Sequence, residues 1–520
     1  MTAAKQPNPN QPPAPEPSVV TGVQLMQGIG VRPAMGFWAD AWSTVIKKPT
    51  AIFALAWLGL IAFFAVYAPV LASGHPLWIT DNTGNTSSPL WRNLAVLDLV
   101  LLLGTSAAIL YTALGGPRKH WGVRAARAVG TIIIAVFIVA IAGLVQTYFV
   151  GLADEAGRRA QTVFARTGIA PELPTPFVRS PSAPLIIGLS VSLVVSLVAI
   201  ALPIGSRRAR ITVCILATIL ATWAVNARWV QPLERWDYLG AQQRGTITAA
   251  TFTAVPWSPL QRESALQRSK PGTQFGPATE NPDPASPGYR HSFTLGTDAY
   301  GSDVLSQLLH ASRLSISIGV VSTGIALLIG VTIGALMGYF GGWVDLLLFR
   351  VVEVFMAVPV LFLLIVAVAV VPDELRTTYF IMVIIGCFTW TGMARFTRAE
   401  FMKLRNQDFV QAAQATGLPL RSILFRHMLP NGVAPVLVDT SFAIGAAISV
   451  EATLSYLGLG PADSASWGKL LSSAINSEGQ FKWWLAVFPG LAIFLTVLAY
   501  NLLGEALRDA IDPKLKKARV

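Results

Sequence analysis

The chain has 520 residues, of which 53% are hydrophobic and only 13% are charged. Its mean hydropathy of +0.55 is too high for an ordinary soluble protein, so the composition indicates a polytopic membrane protein. The net charge of +12 does not indicate nucleic-acid binding, because the basic residues cluster beside apolar runs, where they signal membrane topology. Both cysteines, Cys214 and Cys387, lie within apolar runs and match neither a disulfide framework nor a metal site.

The N-terminal part divides into a polar tail and a first membrane helix. Residues 1–36 are assigned to a cytoplasmic tail, whose first half is rich in Pro, Gln and Asn and is expected to be disordered. The first apolar run, residues 51–71, comes too late for a signal peptide and follows a Lys-Lys pair at 47–48. We therefore expect residues 37–72 to contain a transmembrane helix that enters from the cytoplasm.

The next segment, residues 73–230, reads as an insertion with four more transmembrane helices. Its apolar runs cover residues 94–114, 128–150, 185–204 and 211–230, each near the roughly 20 residues that a helix needs to cross a bilayer. Four crossings leave the sidedness of the downstream chain unchanged, and we expect the insertion to pack at the periphery. Asp98 lies in the first run, where a structural role and a proton-relay role both stay open, although no acidic or His partner stands at helical spacing.

Residues 231–310 are polar and rich in proline, and we assign them to an extended extracytoplasmic loop. The motif LGTDAYGSD, residues 295–303, closes this loop. Its glycines suit tight turns, and its Asp and Ser side chains can cap the start of the following helix. Capping is the simpler role, and a contribution to an outer gate or to a protein contact is the alternative.

Five further spans form the C-terminal part, residues 311–508, which is followed by a basic cytoplasmic tail at 509–520. The spans are predicted at residues 314–339, 344–371, 377–394, 433–457 and 484–507. With the first helix and the insertion they make ten crossings, so both termini are expected in the cytoplasm. Pro359 is expected to kink its helix. Glu451, before a Gly-rich turn near an outer helix end, can cap, pair or face a water-filled path.

A charged loop at residues 398–431 lies between the spans predicted at 377–394 and 433–457. Residues 399–416 are good helix formers, Gly417 suits a C-terminal cap, and Pro419 suits the first turn of a second helix. The side chains around the joint are small, so another protein can approach closely. Basic residues place the loop on the cytoplasmic side. The pattern favours a docking surface, with a loop lying at the membrane interface as the alternative.

This loop resembles the EAA loop of the membrane subunits of bacterial ABC importers. The matching positions are Gln411, Ala412, Ala413, Gly417, Leu429 and Pro430. Together with RHMLPN, LGTDAYGSD, GYFGGWVD, EATLSYLGLG and NLLGEALRDAIDP, they are similar to the C-type permease subunit of dipeptide and oligopeptide importers. Two departures stand out, because Gln411 replaces the usual Glu and Ser302 replaces the usual Arg. The resemblance covers about residues 37–72 and 290–515.

The resemblance implies an all-α fold, a polytopic transmembrane helical bundle with the six-helix core of a type I ABC importer permease plus about four inserted helices. It implies half of a translocation pathway for peptides or a related small solute in the bacterial cytoplasmic (inner) membrane. The implied partners are a B-type second permease, two P-loop ATPase subunits, an extracytoplasmic solute-binding protein and the lipid bilayer, without nucleic acid. Coupling to the ATPase would fall to Asp408, Gln411, Ala412, Ala413, Gly417, Arg426, Leu429 and Pro430. An outer gate or binding-protein contact would involve Gly296, Thr297, Asp298, Asp303 and Glu451.

The sequence contains no catalytic signature of its own. No G-x-x-x-x-G-K-[ST] motif occurs, so ATP and Mg are expected on partner ATPase subunits, with no cofactor or metal in this chain. The five histidines form no H-E-x-x-H motif, and no catalytic residues are assigned, so the chain is not expected to be an enzyme. An ion-coupled secondary transporter stays open as the alternative function and rests on Asp98 alone.

Overall fold

A computed structural model describes residues 37–90, 94, 98, 101–102, 105, 247–259, 261–274, 292–372, 376–461, 464–475 and 479–511. Within these residues, the helices are α1 (Phe37–Val45), α2 (Pro49–Leu71), α3 (Val304–Phe340), α4 (Gly342–Ala357), α5 (Val360–Ala369), α6 (Thr378–Thr389), α7 (Thr391–Leu404), α8 (Asp408–Ala415), α9 (Leu429–Tyr456), α10 (Trp467–Ser472) and α11 (Trp483–Ile511). The short strands are β1 (Trp78–Asp81), β2 (Thr86–Ser87), β3 (Ile247–Thr251), β4 (Thr273–Gln274) and β5 (Ser292–Phe293). The N-terminal tail, residues 512–520 of the C-terminal tail, most of the first inserted run and all of the other three lie outside the described residues.

Four described helices are long and apolar enough to cross a membrane, namely Pro49–Leu71, Val304–Phe340, Pro435–Tyr456 and Trp483–Ile511. Two bent pairs raise the number to six if each pair is one span: α4 with α5, bent by 77°, and α6 with α7, bent by 43°. The prediction of an all-α polytopic bundle is confirmed.

The helix boundaries differ from the predicted spans at three places. Helix α3 begins at Val304, ten residues before the predicted start, because Asp303 caps it. The span predicted at 344–371 is broken where Pro359 is the N-cap of α5, as its missing N–H and fixed φ require. The span predicted at 377–394 bends at Trp390 and continues as α7 to Leu404.

Helix α3 is the central element and packs against α2, α6, α7 and α9. Its glycines at four-residue spacing, Gly330, Gly334 and Gly338, form one face toward α7. A Cβ atom on Gly334 would lie 2.5 Å from the carbonyl oxygen of Ala394, so any larger residue would push the helices apart. The glycine face therefore fixes α7, and with it the start of the loop that follows.

Short strands tie the two ends of the insertion together. Strand β1, at the start of the insertion, pairs antiparallel with β2 and with β3, which follows the insertion, in the order β2-β1-β3. Ile79 lies opposite Ala250 in this sheet. Entry and exit of the insertion therefore lie on the same side, as an even number of crossings requires. The sequence analysis predicted no strands here, because these segments are short and lack clear alternation.

Asp98 forms an ion pair with Arg313 of α3, and both side chains are mostly buried. The sequence search looked for acidic and His partners at helical spacing and therefore missed a basic partner 215 positions away. The pair favours the structural role of Asp98 over the proton-relay role, since a charge at membrane depth is usually paired.

Candidate coupling site

The charged loop contains a short helix, α8, that is set off from α7. The residues 399–416 were predicted as one helix, but α7 ends at Leu404, and Gln407 is extended with φ −82° and ψ 146°. Asn406 and Gln407 precede Asp408, whose carboxylate suits the first turn of a new helix. Because of this break, α8 is a separate helix and not a continuation of α7.

Gly417 ends α8 in the conformation predicted for it. Its φ is +70°, in the left-handed region that favours glycine. The Gly417 N–H donates to the Gln414 carbonyl at 2.9 Å, and the Leu418 N–H donates to the Ala413 carbonyl at 3.2 Å. These two bonds define a Schellman cap. Pro419 then starts the next helical turn as its N-cap, rather than within that turn.

The inner face of α8 is anchored in a small apolar cluster. Val410 and Ala413 are buried against Phe401 of α7 and against Ala335 of α3. Ile423, Leu424 and Met428 complete this cluster, which we call the loop core. The loop core thus brings side chains of α8 together with side chains of α3 and α7.

The structure separates the eight predicted coupling residues into two groups. Six are exposed: Asp408, Gln411, Ala412, Gly417, Arg426 and Pro430. Ala413 is buried in the loop core, and Leu429 is half-buried beside it. Since α8 repeats every 3.6 residues, Ala413 shares the inner face with Val410, three positions earlier. Ala413 therefore supports α8 from its inner face, and its part in coupling stays a prediction.

Polar contacts hold the surroundings of α8 in place. The Arg398 Nη2 of α7 donates to Asp345 Oδ2 of α4 at 2.6 Å, and the guanidinium lies 4.7 Å from the centre of the Phe349 ring. The Gln414 side chain donates to the Tyr339 hydroxyl at 3.2 Å. Gln411, which replaces the usual Glu, reaches only the Asn406 carbonyl at 3.5 Å and stays exposed. The exposed positions in the C-terminal half of α8 are therefore uncharged, whereas Asp408 is exposed in its first turn.

A groove follows the Schellman cap and was missed by the sequence analysis, apart from Arg426 and Pro430. Residues Leu420–Ser422 form one α-helical turn, and Ile423–Met428 form a π-helical segment that leads into α9. The groove has a volume of about 500 Å³ and is lined by Pro419, Arg421, Ser422, Phe425, Arg426 and Pro430. Phe425 is 53% exposed, although its neighbours Ile423 and Leu424 are buried. Such π-helical segments are frequent at functional sites.

The predicted outer residues form a compact turn with buried side chains. Asp298 accepts bonds from the Tyr300 and Ser302 N–H groups, both at 2.8 Å, and Asp303 caps α3 by accepting from the Ser306 N–H at 2.6 Å. Gly296, with φ +81°, and Thr297 are also buried. Burial raises the pKa of the Asp303 carboxyl from 3.8 to about 7; the Ser306 bond lowers it and the Asp298 charge adds a smaller increase. The geometry favours capping over a surface contact.

Glu451 joins two outer elements. It is fully buried in α9, and its Oε1 accepts bonds from the hydroxyls of Ser455 and Ser466, both at 2.7 Å. Ser466 is the N-cap of α10, so the carboxyl group fastens α10 to α9. The neighbouring Gly468 is equally constrained, because a Cβ atom there would lie 2.1 Å from the Ala452 carbonyl oxygen. Glu451 therefore holds the C-terminal end of α9 and does not offer a free surface.

Comparison with known proteins identifies the family. The model of the binding-protein-dependent transport system inner membrane component matches residues 330–517, and that of the N-terminal TM domain of oligopeptide transport permease C matches residues 36–89. The chain is 34% identical over 275 residues to the dipeptide transport system permease protein DppC of Alkalihalophilus pseudofirmus, which covers 52% of this chain and 85% of that protein. The chain belongs to the oligopeptide permease C family of ABC transporters.

Two further relatives from this permease family are each similar to 43% of this chain. The oligopeptide transport system permease protein OppC of Bacillus subtilis is 39% identical over 224 residues, which is 43% of this chain and 72% of that protein. The glutathione transport system permease protein GsiD of Pectobacterium atrosepticum is 39% identical over 223 residues, which is 43% of this chain and 73% of that protein. The two family matches leave residues 90–329 uncovered, which includes most of the segment predicted as an insertion, whereas residues 73–89 of that segment lie within the match to the N-terminal TM domain.

Proposed function

We propose that this permease forms half of the pathway of an ATP-driven importer and is driven through α8 by a cytoplasmic ATPase. The exposed, neutral surface of Gln411, Ala412 and Gly417 carries this proposal, because its small side chains allow a partner to approach the backbone closely. The second half of the pathway is a B-type permease, and two P-loop ATPase subunits bind ATP and Mg. An extracytoplasmic binding protein delivers the solute, and the complex lies in the bacterial inner membrane with both termini of this chain cytoplasmic.

The solute is a peptide or a small molecule of related chemistry. The relatives named for dipeptide, oligopeptide and glutathione transport support this class. Coupling then proceeds by differential binding, because the ATPases in their closed and open states hold α8 in different positions. The loop core passes this displacement to α3 and α7, whose glycine contact makes them move together. Such rigid-body switching exposes the shared pathway alternately to the two sides of the membrane.

At the opposite ends of α3 and α9, a second set of contacts must either break or move as one unit when the pathway switches sides. Asp303 caps the outer end of α3, and Glu451 fastens α10 to the outer end of α9. Trp467 of α10 donates from its indole nitrogen to the Leu308 carbonyl of α3 at 3.1 Å. Helix α10 thus bridges α3 and α9, and this bridge supports a role of α10 in closing the outer side of the pathway.

The test is a pull-down of the tagged full chain from mild detergent, with identification of the co-purifying chains and an ATPase assay. We expect a second permease and P-loop ATPases, with hydrolysis stimulated by the binding protein. Recovery of this chain alone, even after crosslinking in native membranes, would contradict the proposal. Solute uptake that responds to a proton or sodium gradient without ATP would favour a secondary transporter instead.

A further inference from the structure

Helix α4 carries an ion pair on the side that points away from the bundle. The Arg350 Nη1 donates to Glu353 Oε2 at 2.6 Å, and 71% of the Arg350 side chain and 44% of the Glu353 side chain are exposed. Val352, between them in sequence, is instead buried in a cluster with side chains of α3 and α7. Leu347 and Val354, one turn to either side of Arg350, are also exposed. This stripe of α4 therefore combines two opposite charges with apolar surface.

The pair lies within a segment that can cross the membrane. Near the start of α4, Asp345 binds Arg398, the first residue of the charged loop, and the pair follows Asp345 by five and eight positions. At 1.5 Å per residue these positions lie about 8 and 12 Å further along α4, whereas one leaflet of a bilayer has about 15 Å of hydrocarbon. Beyond the pair, the Phe355 ring lies 5.5 Å from the Trp390 ring, so α4 runs back along α7 into the bundle.

The direction of the Arg350 side chain argues against contact with lipid headgroups. A basic side chain close to the interface usually extends toward the headgroups. The Arg350 guanidinium instead binds Glu353, which is the residue further from the charged loop. Ionisable side chains in hydrocarbon are rare and face either protein or a water-filled cavity. The exposed side of the pair therefore faces protein or water.

The break between α4 and α5 favours water. The two helices meet at 77°, and Val358 and Pro359 at the break are exposed. Pro359 has no N–H, and the last carbonyl groups of a helix have no partner within that helix. Irregular backbone at membrane depth occurs where it is buried in protein or lines a water-filled cavity. A water-filled pathway beside α4 satisfies both the exposed break and the exposed ion pair.

We propose that Arg350 and Glu353 form a solute site in the pathway, which binds the two charged ends of a short peptide. The inference rests on the proposed function and adds the residues that recognise the solute. Glu353 binds the N-terminal ammonium group together with the carbonyl end of α4, whose dipole favours a cation. Arg350 binds the C-terminal carboxylate through its planar guanidinium group. Leu347 and Val354 contact the side chains of the peptide, in keeping with the mostly apolar lining of small-molecule sites.

The experiment measures photo-crosslinking of a dipeptide to the complete transporter complex in nanodiscs. The binding protein is left out, so that the selectivity of the permease alone is read. The probe is alanyl-p-benzoylphenylalanine, and its N-acetylated and C-amidated forms each lack one end charge. In the wild type, each blocked form is expected to crosslink to this chain about tenfold less than the free dipeptide, because it loses a hydrogen bond to a charged group.

The two single variants are expected to respond to different ends of the probe. Glu353→Gln should crosslink the free dipeptide about tenfold less, become insensitive to N-acetylation and still respond to amidation. Arg350→Gln should become insensitive to amidation and still respond to N-acetylation. A role of the pair in folding alone would lower crosslinking of all three probes equally.

Two further variants control for the removal of an ion pair. The exchanged pair Arg350→Glu/Glu353→Arg keeps both charges, and it should bind the free dipeptide about tenfold more weakly, because the carbonyl end of α4 then faces the carboxylate of the peptide. Lys403→Gln removes a charge from another exposed i,i+3 pair, with Glu400 on α7, and should crosslink all three probes like the wild type. Every variant is expected to co-purify with the second permease at an unchanged melting temperature.

Each outcome has a distinct meaning. Uptake of the free dipeptide into proteoliposomes, with ATP and the binding protein, tests the proposed function separately. If the wild type takes up the dipeptide but end-blocking affects the variants as it affects the wild type, the solute site is wrong and the proposed function stands. Wild-type crosslinking that ignores both blocked ends has the same meaning. A variant that separates from the second permease would show that the pair is a subunit contact, which overturns the proposal. If the wild type shows no ATP-driven peptide uptake, the proposed function fails and the solute site fails with it.

Discussion

Replacement of Gly417 by valine tests whether the conformation of the α8 cap, and not only its surface, matters for coupling. A Cβ atom at Gly417 would meet no atom within 4 Å, so no steric clash arises in the isolated chain. The cost comes from φ +70° alone, which penalises an L-residue by about 1–2 kcal/mol. A penalty of this size reduces the population of the capped state relative to the frayed state by roughly 5- to 30-fold.

The assays for this variant separate the local from the global effect. Hydrogen exchange of the Leu418 amide, which donates to the Ala413 carbonyl in the wild type, should become faster by about the same factor. In the reconstituted complex, solute uptake per ATP hydrolysed should fall. Gly417→Asn is the matched control, since Asn tolerates the left-handed conformation and should retain most of both properties. Wild-type exchange at Leu418 and unchanged uptake in a normally expressed Gly417→Val variant would refute the reasoning.

Three further substitutions test the packing of α3 on α7, the ion pair of Asp98 and the helix cap at Asp303. Gly334→Ala should cost about 1–3 kcal/mol and lower the melting temperature, because its Cβ atom would overlap the backbone of α7. Gly59→Ala has open space within helix α2 and should not lower the melting temperature, since alanine favours a helix more than glycine does; equal effects of the two changes would contradict the close packing. Asp98→Asn should lower the free energy of unfolding by about 3 kcal/mol, because it removes the carboxylate that pairs with Arg313. Adding Arg313→Met to this variant should restore the melting temperature; a double variant that loses as much stability as the two single variants together would argue against the pair. The pKa of Asp303 is raised to about 7, so the folded state binds more protons than the unfolded state between about pH 4 and 7, and stability should fall as pH rises through this range. Asp303→Asn should flatten this dependence in melting curves at pH 5 and pH 8, and an unchanged slope would contradict the assignment.

Local backbone chemistry made part of the site predictable from sequence. Gly417 could be assigned to a helix cap because its conformation depends on its own missing side chain and on a few neighbouring hydrogen bonds. Asp303 could be assigned to a helix start for the same reason, since an N-cap bond reaches only three residues along the chain. The kink at Pro359 follows from the proline ring. These features need no knowledge of the tertiary fold.

Features that depend on distant parts of the chain were not predictable. The partner of Asp98 is 215 positions away, and strand β3, which follows the insertion, pairs with β1, which lies at its start. The burial of Ala413 depends on Ala335 and Phe401, which α3 and α7 bring to the loop core. Phe425 was overlooked because an apolar residue next to buried Ile423 and Leu424 resembles a core residue in sequence. Only the tertiary arrangement shows which of these side chains remain exposed.

The proposed function requires the exposed face of α8 to contact a cytoplasmic ATPase. Site-specific photo-crosslinking in native membranes tests it most directly, with the crosslinker at the exposed Gln411 and a control at the exposed Tyr300 near the opposite end of α3. The account predicts a crosslink from position 411 to a P-loop ATPase and none from position 300. A crosslink from position 411 only to lipid, or to the same proteins as from position 300, would contradict it.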